Sequence, residues 1–368
     1  MDGKSATGGR IDRREFHRVM AGLGLGLVAV SAFGRKAGAA SNLVYFTWGG
    51  YDDPAFRQPY IAKYGDGPEF VFYGHTDEGF LKLQQGFRAD VAHPCMHDVQ
   101  KWRDAGLIEA IDPAKIAEWD NLIPALRDAD GLMADGKHWL VPWEWGSSSI
   151  IYRTDKVTFD TESYALLTDE RYKGRIAAPD AFDEIYQVAA VLAGVKHPLA
   201  LEEPEYEPVQ AQMRAIFTQL KFLWSDPTVV EQALASGELD LAWGWPNSFS
   251  NLRNQGLPVA YMLNPKEGIV TWLCGLARLK GGKASEEEVY DFINALLDPQ
   301  SGKALIENFG YGHSNARSLE QVDKAKLAQL GMDGDVAQFL AAGNFLGAMP
   351  VDQRQRLIDM WESTKAGG

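Results

Sequence analysis

Tryptophans occur at the ends of several predicted strands, and they are the side chains of this sequence best suited to binding chemistry. The rings at these positions belong to Trp48, Trp145, Trp245 and Trp272. Ligands of parallel α/β sheets lie beyond the carboxyl ends of the strands. An aromatic face attracts an organic cation by about 0.5–2 kcal/mol. The spacing therefore predicts an aromatic-walled cleft, although Trp143 and Trp243 fit core packing equally well.

Motifs of catalysis are absent from the sequence, which contains no G-x-S-x-G elbow, H-E-x-x-H pair or glycine-rich phosphate loop. We therefore predict neither an enzyme nor a cofactor. His93 and His97 have i,i+4 spacing around Cys95, which leaves a metal site open. An exported hydrolase or a metal-binding receptor that uses His97 and Cys95 is the alternative function, and loop histidines without a ligand are the preferred interpretation.

The two cysteines, Cys95 and Cys274, lie far apart in the sequence. An oxidising compartment permits a disulfide, but spacing alone does not pair them. Two separate buried thiols are the preferred interpretation, and a disulfide is the alternative.

Strands alternate with helices of about ten residues along the chain, which favours a parallel α/β sheet. The predicted strands are 43–46, 69–73, 90–92, 175–178, 221–224, 239–243 and 273–279. The predicted helices are 54–63, 77–85, 96–105, 185–193, 228–235, 247–255, 285–297 and 351–364. Two α/β units joined around residues 143–152 follow from this pattern.

The net charge of the protein limits the kinds of partner that it can bind. The chain has a formal charge of −14, and residues 1–40 contribute seven basic against three acidic side chains, so the remainder carries −14 − 4 = −18. Such a surface repels nucleic acid and attracts cationic ligands over distance. No nucleic-acid partner is expected.

The first forty residues predict export. Arg13 and Arg14 precede an apolar stretch at 19–33, and small residues around Ala39 and Ala40 resemble a cleavage site. The stretch is shorter than the ~20 residues that span a membrane. We expect a twin-arginine (Tat) signal peptide, the Tat machinery as export partner, and a periplasmic mature protein.

A series of motifs, in order along the chain, carries a family resemblance. The motifs are Trp48-x-x-Tyr51, Pro142-x-x-Trp145-Gly146, Glu184-x-x-Gln187, Gly237-Glu238 through Trp245, Pro265-Lys266-Glu267-Gly268 followed by Trp272, and Phe309-Gly310-Tyr311. Together they resemble the spermidine/putrescine-binding proteins, the periplasmic receptors of polyamine ABC importers. The resemblance covers nearly all of the chain after residue 40.

This resemblance implies an α/β, two-lobed periplasmic-binding-protein fold with a hinge and a ligand cleft between the lobes. It places lobe 1 at 41–147 and 273–320, lobe 2 at 148–272, and C-terminal helices that pack on the lobes at 321–368. The implied partners are a small cationic organic ligand and the permease subunits of an ABC transporter. The implied ligand-binding positions are Trp48, Tyr51, His97, Trp145, Glu184, Trp245, Trp272, Cys274 and Tyr311.

One departure from the family pattern affects the ligand. The family usually has an aspartate that binds an amine two residues after the position of Trp272, and this chain has Cys274 there. A thiol has no fixed negative charge unless its pKa is strongly lowered. Either another carboxylate replaces the aspartate, or the ligand has a single cationic end. The carboxylates that could replace the aspartate are Asp77, Glu78 and Glu144. Asp180 or Asp183 could assist Glu184 in binding the ligand. His97 stands where the family often has a tyrosine.

Overall fold

The computed structural model describes residues 41–367, so the predicted signal peptide with Arg13, Arg14 and the cleavage site near Ala39-Ala40 lies outside the described residues. The strands of the described part are β1 (Val44–Thr47), β2 (Glu69–Phe72), β3 (Val91–Ala92), β4 (Ile108–Glu109), β5 (Met133–Ala134), β6 (Lys137–His138), β7 (Val141–Arg153), β8 (Ile176–Pro179), β9 (Leu220–Trp224), β10 (Leu241–Gly244), β11 (Val259–Tyr261), β12 (Val270–Leu279), β13 (Gly312–His313) and β14 (Asn344–Phe345).

The helices of the same range are α1 (Gln58–Tyr64), α2 (Thr76–Gln84), α3 (Met96–Asp104), α4 (Pro124–Arg127), α5 (Phe182–Leu192), α6 (Tyr206–Phe217), α7 (Pro227–Ser236), α8 (Pro246–Asn254), α9 (Glu286–Leu296), α10 (Pro299–Phe309), α11 (Ala316–Leu319), α12 (Lys324–Gln329), α13 (Val336–Ala342) and α14 (Val351–Lys365). Single turns of 3-10 helix lie at Pro54–Phe56, Pro113–Lys115, Trp119–Asn121, Tyr164–Thr168, Glu170–Tyr172 and Glu203–Glu205.

Most strands belong to one curled sheet in the order β2-β1-β3-β12-β7-β10-β8-β9. β1 runs parallel to β2 and β3, and β8 runs parallel to β9 and β10. The α/β prediction is therefore confirmed. The two parallel groups lie at opposite ends of the sheet, and we call the group around β1–β3 the first lobe and the group around β8–β10 the second lobe.

Two long antiparallel strands, β7 and β12, connect the lobes. They pair with each other from Val270 opposite Ser148 to Leu276 opposite Val141. Beyond this shared segment β12 pairs with β3, and β7 pairs with β10. The junction between the lobes is thus built from the two crossing strands, as in a two-lobed fold, and the residue boundaries given above for each lobe stay a prediction.

Each lobe has its own apolar core. Tyr45 and Phe292 are fully buried in the first lobe, and Tyr186 and Trp243 are fully buried in the second. Helix α14 at the C-terminus packs on the second lobe, where it buries Trp361. Burial of a large apolar side chain is worth about 1.5–3 kcal/mol, so each core contributes to the stability of its lobe.

No helix within residues 41–367 combines the length and the apolar character needed to cross a bilayer.

Candidate functional site

A buried hydrogen-bonded group surrounds Glu144 on the first-lobe side of β7. The hydroxyl of Tyr51 donates to Oε1 of Glu144 over 2.5 Å. Nε2 of His93 lies 3.3 Å from the same oxygen, and Nδ1 of His93 lies 3.1 Å from Oγ1 of Thr47. All four side chains are buried. Burial, and next the charge of Glu144, raises the pKa of Tyr51 well above its ordinary value, so this hydroxyl stays protonated and remains a donor.

The second carboxylate oxygen of Glu144 has a different environment. Oε2 is buried and has no hydrogen-bond partner among the described residues. A carboxylate offers about four acceptor positions, and leaving a buried acceptor unpaired costs about 1–3 kcal/mol. Glu144 can therefore accept at least one further hydrogen bond.

A second buried carboxylate, Glu184, lies in the first turn of α5 in the second lobe. Its Oε1 accepts hydrogen bonds from Oγ of Ser148 at 3.0 Å and from Nε1 of Trp245 at 3.1 Å, and its Oε2 accepts from Nε1 of Trp243 at 2.8 Å. Burial raises the pKa of Glu184 and the charge of Asp183 adds to the rise, whereas the three hydrogen bonds oppose it. All three donors are neutral, so they do not balance the charge of Glu184.

Trp272 stands opposite Gly146, between the positions of Glu144 and Ser148 along β7, and its ring contacts Tyr311. The rings meet edge to face with centroids 5.0 Å apart. Trp272 lies over Gly146, where a Cβ would come within 2.6 Å of the ring, so only glycine fits. Burial raises the pKa of Tyr311 well above its usual value, and the charges of Glu144 and, more weakly, Glu184 raise it further. The Tyr311 hydroxyl therefore lies within electrostatic reach of both carboxylates.

Helix α8 positions the last of the tryptophans. Trp245 is the residue before the helix and Pro246 is its first residue, a position that the fixed φ of proline suits. The Trp245 ring packs edge to face on Trp224 with centroids 5.1 Å apart and stays half-buried. This placement directs the indole N–H of Trp245 toward Glu184.

Trp48 and Trp145 have other surroundings. Trp48 is half-buried, donates its indole N–H to the carbonyl of His93, and packs edge to face on Tyr73. Trp145 is buried in the first-lobe core, where it donates to the carbonyl of His313. Because side chains alternate along a strand, Trp145 points away from the face that carries its neighbour Glu144. The structure therefore gives Trp145 a place in the core instead of one beside the carboxylates.

Cys95 and Cys274 form a disulfide, which corrects the preference for two separate thiols. Cys274 stands opposite Glu144 in the pairing of β12 with β7, and Cys95 immediately precedes α3. A disulfide sulfur does not ionise, so Cys274 offers no negative charge to a ligand. A carboxylate, that of Glu144, stands directly opposite this position on the adjacent strand.

His97 belongs to a group of charged side chains between the lobes. Its Nε2 lies 3.2 Å from Oδ2 of Asp98 and 3.9 Å from Oδ2 of Asp183. Burial alone lowers the pKa of His97, but the two carboxylates outweigh it and the pKa ends above its ordinary value. Asp183 and Asp77 both bind the guanidinium of Arg354. His97 therefore faces carboxylates, and these are already engaged.

The remaining acids considered from the sequence also have partners in the protein. Asp180 lies 3.2 Å from Nζ of Lys365. Glu78 pairs with Lys82 over 2.6 Å on the surface of α2. Of the three candidates for the missing aspartate, only Glu144 is both buried and beside the aromatic rings.

Sequence reasoning missed Ser148 and Arg354 as parts of this region and considered His93 only as a metal ligand. Ser148 and Glu144 share the two-residue period of one strand face, a signal that was available once 141–153 was recognised as a strand. Nothing in the sequence indicated Arg354, because its partners Asp77 and Asp183 lie far away along the chain.

The alternative functions depend on His97 and Cys95. Cys95 is oxidised to the disulfide, so it has no thiolate for nucleophilic attack. Across residues 41–367, no three histidine, cysteine, aspartate or glutamate side chains come together as a metal site. Within this range Cys95 therefore has no free thiol for the hydrolase alternative, and no cluster of three such ligands supports the metal alternative.

Known proteins resemble this chain in sequence and in fold. The spermidine/putrescine-binding periplasmic protein of Salmonella typhimurium is 25% identical over 302 residues, which cover 81% of this chain and 85% of the relative. A solved structure described as a putative spermidine/putrescine ABC transporter from Listeria monocytogenes superposes with a TM-score of 0.76 at 19% identity, covering 88% of this chain and 99% of the other. MotA from A. tumefaciens B6, solved in complex with glucopine, gives a TM-score of 0.72 at 15% identity, with 88% and 99% covered.

The family match spans most of the region described above. Residues 81–331 match the bacterial extracellular solute-binding proteins. These residues include both crossing strands, Glu144, Glu184, Trp272 and Tyr311. The chain belongs to the family of bacterial extracellular solute-binding proteins.

Proposed function

We propose that this protein is a periplasmic receptor of an ABC importer that binds a small organic amine of the polyamine type between Glu144 and Glu184. The observation that carries the proposal is the buried Oε2 of Glu144, which has no hydrogen-bond partner among residues 41–367. An ammonium group donates to such an oxygen and balances its charge at the same time. No catalytic step is required.

The aromatic rings suit the rest of an amine. Trp272 and Tyr311 pack against each other, and Tyr51 and Trp245 each donate a hydrogen bond to one of the two carboxylates. Rings of this kind contact methylene groups and attract ammonium groups by about 0.5–2 kcal/mol each. An amine with an aliphatic stem therefore matches the chemistry of both the ends and the walls of the site.

Ligand entry requires movement, because the site residues are buried. Glu144, Trp272, Glu184 and Tyr311 each expose no more than 7% of their surface. Hinge bending of the lobes about β7 and β12 would open the site, and ligand contacts to both lobes would favour closure. The closed, loaded form would then be the one delivered to the permease.

Periplasmic location rests on two supports. The relatives named above include a periplasmic protein, and Arg13 with Arg14 forms a twin-arginine pattern in the sequence. We infer export through the Tat route. Replacement of the pair by two lysines should leave precursor in the cytoplasm, and unchanged export would show use of the general secretory route.

Calorimetric titration with putrescine and spermidine tests the proposed site. Glu144→Gln removes the charge and retains the shape, so its affinity for the better-bound amine should fall about 10–100-fold, as expected for the loss of a charge-assisted hydrogen bond. Glu307→Gln changes an exposed carboxylate that pairs with Lys303 on α10, and it should bind as the unmodified protein does. Equal affinity of the Glu144→Gln protein would contradict the proposal.

A further inference from the structure

A cation of the protein itself lies between the lobes beside the proposed amine site. Nη1 of Arg354 donates to Oδ1 of Asp183 over 2.8 Å, and Nη2 donates to Oδ2 of Asp77 over 3.1 Å. The guanidinium carbon lies 4.7 Å from the ring centre of Phe182. The side chain of Arg354 is only 13% exposed. Two carboxylates and an aromatic ring therefore bind this guanidinium in the way that the proposed site would bind an amine.

The partners of Arg354 come from both lobes. Asp77 lies on α2 in the first lobe, whereas Asp183 and Phe182 begin α5 in the second. Arg354 itself lies on α14, which is anchored to the second-lobe core through Trp361. The guanidinium therefore occupies a position between the lobes at this edge of the junction.

Charges of opposite sign largely offset each other in this region. The group contains three carboxylates, two permanent cations and one histidine: Asp77, Asp98, Asp183, Lys101, Arg354 and His97. The sum is −3 + 3 = 0 with His97 protonated and −3 + 2 = −1 with His97 neutral. Arg354 and Lys101 therefore offset most of the negative charge that the three carboxylates would offer a further ammonium.

Asp183 links this group to the amine site, because it binds Arg354 over 2.8 Å and directly precedes Glu184 in the first turn of α5. The negative charge of Asp183 acts on Glu184. An amine that extended past Glu184 toward Asp183 would meet the guanidinium that Asp183 already binds, and two like charges at short range repel each other when they are partly desolvated.

We propose that Arg354 limits the charge and length of the ligand, so that the receptor prefers a diamine to a triamine. This inference rests on the proposed function and adds a specificity-determining residue to it. Glu144 and Glu184 hold the two ammonium groups of the diamine, and Arg354 excludes a third at the α5 end.

Calorimetric titration of variants with putrescine and spermidine tests the inference. In Arg354→Gln the affinity for spermidine relative to putrescine should rise about tenfold, which corresponds to about 1.4 kcal/mol. Arg356→Gln is the matched control, since Arg356 lies two residues further on α14, is 44% exposed and pairs with Glu203. Its affinity ratio should equal that of the unmodified protein. Arg354→Lys keeps the charge and should also keep the ratio.

A second variant, Asp77→Asn, should change the affinity ratio in the opposite direction and tests the inference even if Arg354→Gln does not fold. Asp77→Asn alters a carboxylate that is 45% exposed and leaves the arginine less neutralised, so the relative affinity for spermidine should fall. If Arg354→Gln binds both amines with an unchanged spermidine-to-putrescine affinity ratio, the proposed role of Arg354 is wrong, although the proposed function stands. If Arg354→Gln does not fold, an unchanged ratio in Asp77→Asn has the same meaning. Failure of the unmodified protein to bind either amine would overturn the proposed function and this inference with it.

Discussion

The two buried glutamates of the junction differ in how many hydrogen bonds they already accept. Glu184 accepts three, from Ser148, Trp243 and Trp245, whereas Glu144 accepts one from Tyr51 and leaves Oε2 without a partner. The second-lobe carboxylate is therefore held in place by the protein. The first-lobe carboxylate has the greater remaining capacity for a donor. Two residues of one type, both buried, thus differ in their remaining hydrogen-bonding capacity because of the donors around them.

The largest expected effect separates a core tryptophan from a site tryptophan. Trp145→Ala removes a buried ring from the first-lobe core and should lower the free energy of unfolding by about 4 kcal/mol. Trp245→Ala removes a half-buried ring beside Glu184 and should mainly weaken amine binding, by about tenfold. Urea unfolding and calorimetry of both variants measure the contrast. A large affinity loss in Trp145→Ala at unchanged stability would reverse the assignment of the two rings.

A second effect concerns the disulfide, which lies on the Glu144 side of the junction only. Replacing both Cys95 and Cys274 by serine opens a covalent loop with a sequence separation of 179 residues. The loss should lower the free energy of unfolding by about 3 kcal/mol. Because Cys274 stands opposite Glu144, amine affinity should fall as well. Equal urea midpoints for the double variant and the unmodified protein would show that the cross-link does not stabilise the fold.

A third effect should distinguish the glutamates by stability in the absence of ligand. Glu184→Ala leaves the donors of Trp243 and Trp245 without their acceptor and should cost about 2 kcal/mol of unfolding free energy. Glu144→Gln should change the unfolding free energy by less than about 1 kcal/mol, since it removes a buried charge with few donors. Equal destabilisation by the two substitutions would show that the protein does not depend more on the hydrogen bonds of Glu184 than on those of Glu144.

The smallest effect tests the charged group that links the lobes. Because the pKa of His97 is raised in the folded protein, its contribution is complete below the unfolded pKa of about 6.5 and is lost as the pH rises through the folded value. Each unit of pKa difference is worth about 1.4 kcal/mol. Unfolding free energies of the unmodified protein and of His97→Gln should therefore converge as the pH increases from 6 to 9. Divergence over this range would contradict the assigned direction.

Much of the fold follows from the sequence, because hydrophobic periodicity and caps are local signals. The predicted helix 351–364 corresponds to α14, and the predicted helix 96–105 corresponds to α3. Helix α10 was missed although Asp298-Pro299 at its start and Gly310 at its end are ordinary helix-boundary signals. Local patterns were therefore sufficient for most elements, including some that were not predicted.

The site was harder to predict, because its pairings are not local. The register of β7 with β12 places Cys274 opposite Glu144, and only three-dimensional structure shows which of Asp77, Glu78 and Glu144 is left without a partner. Spacing gave no means to choose between a disulfide and free thiols. Long-range partners such as these depend on how the lobes meet, which no local pattern determines.

A crystal structure of the protein with putrescine tests the central claim most directly. We predict one ammonium nitrogen at about 2.7–3.2 Å from Oε2 of Glu144, the methylene chain against Trp272 and Tyr311, and the other nitrogen toward Glu184. Putrescine bound elsewhere, or bound in the site with Oε2 of Glu144 still without a donor, would contradict it.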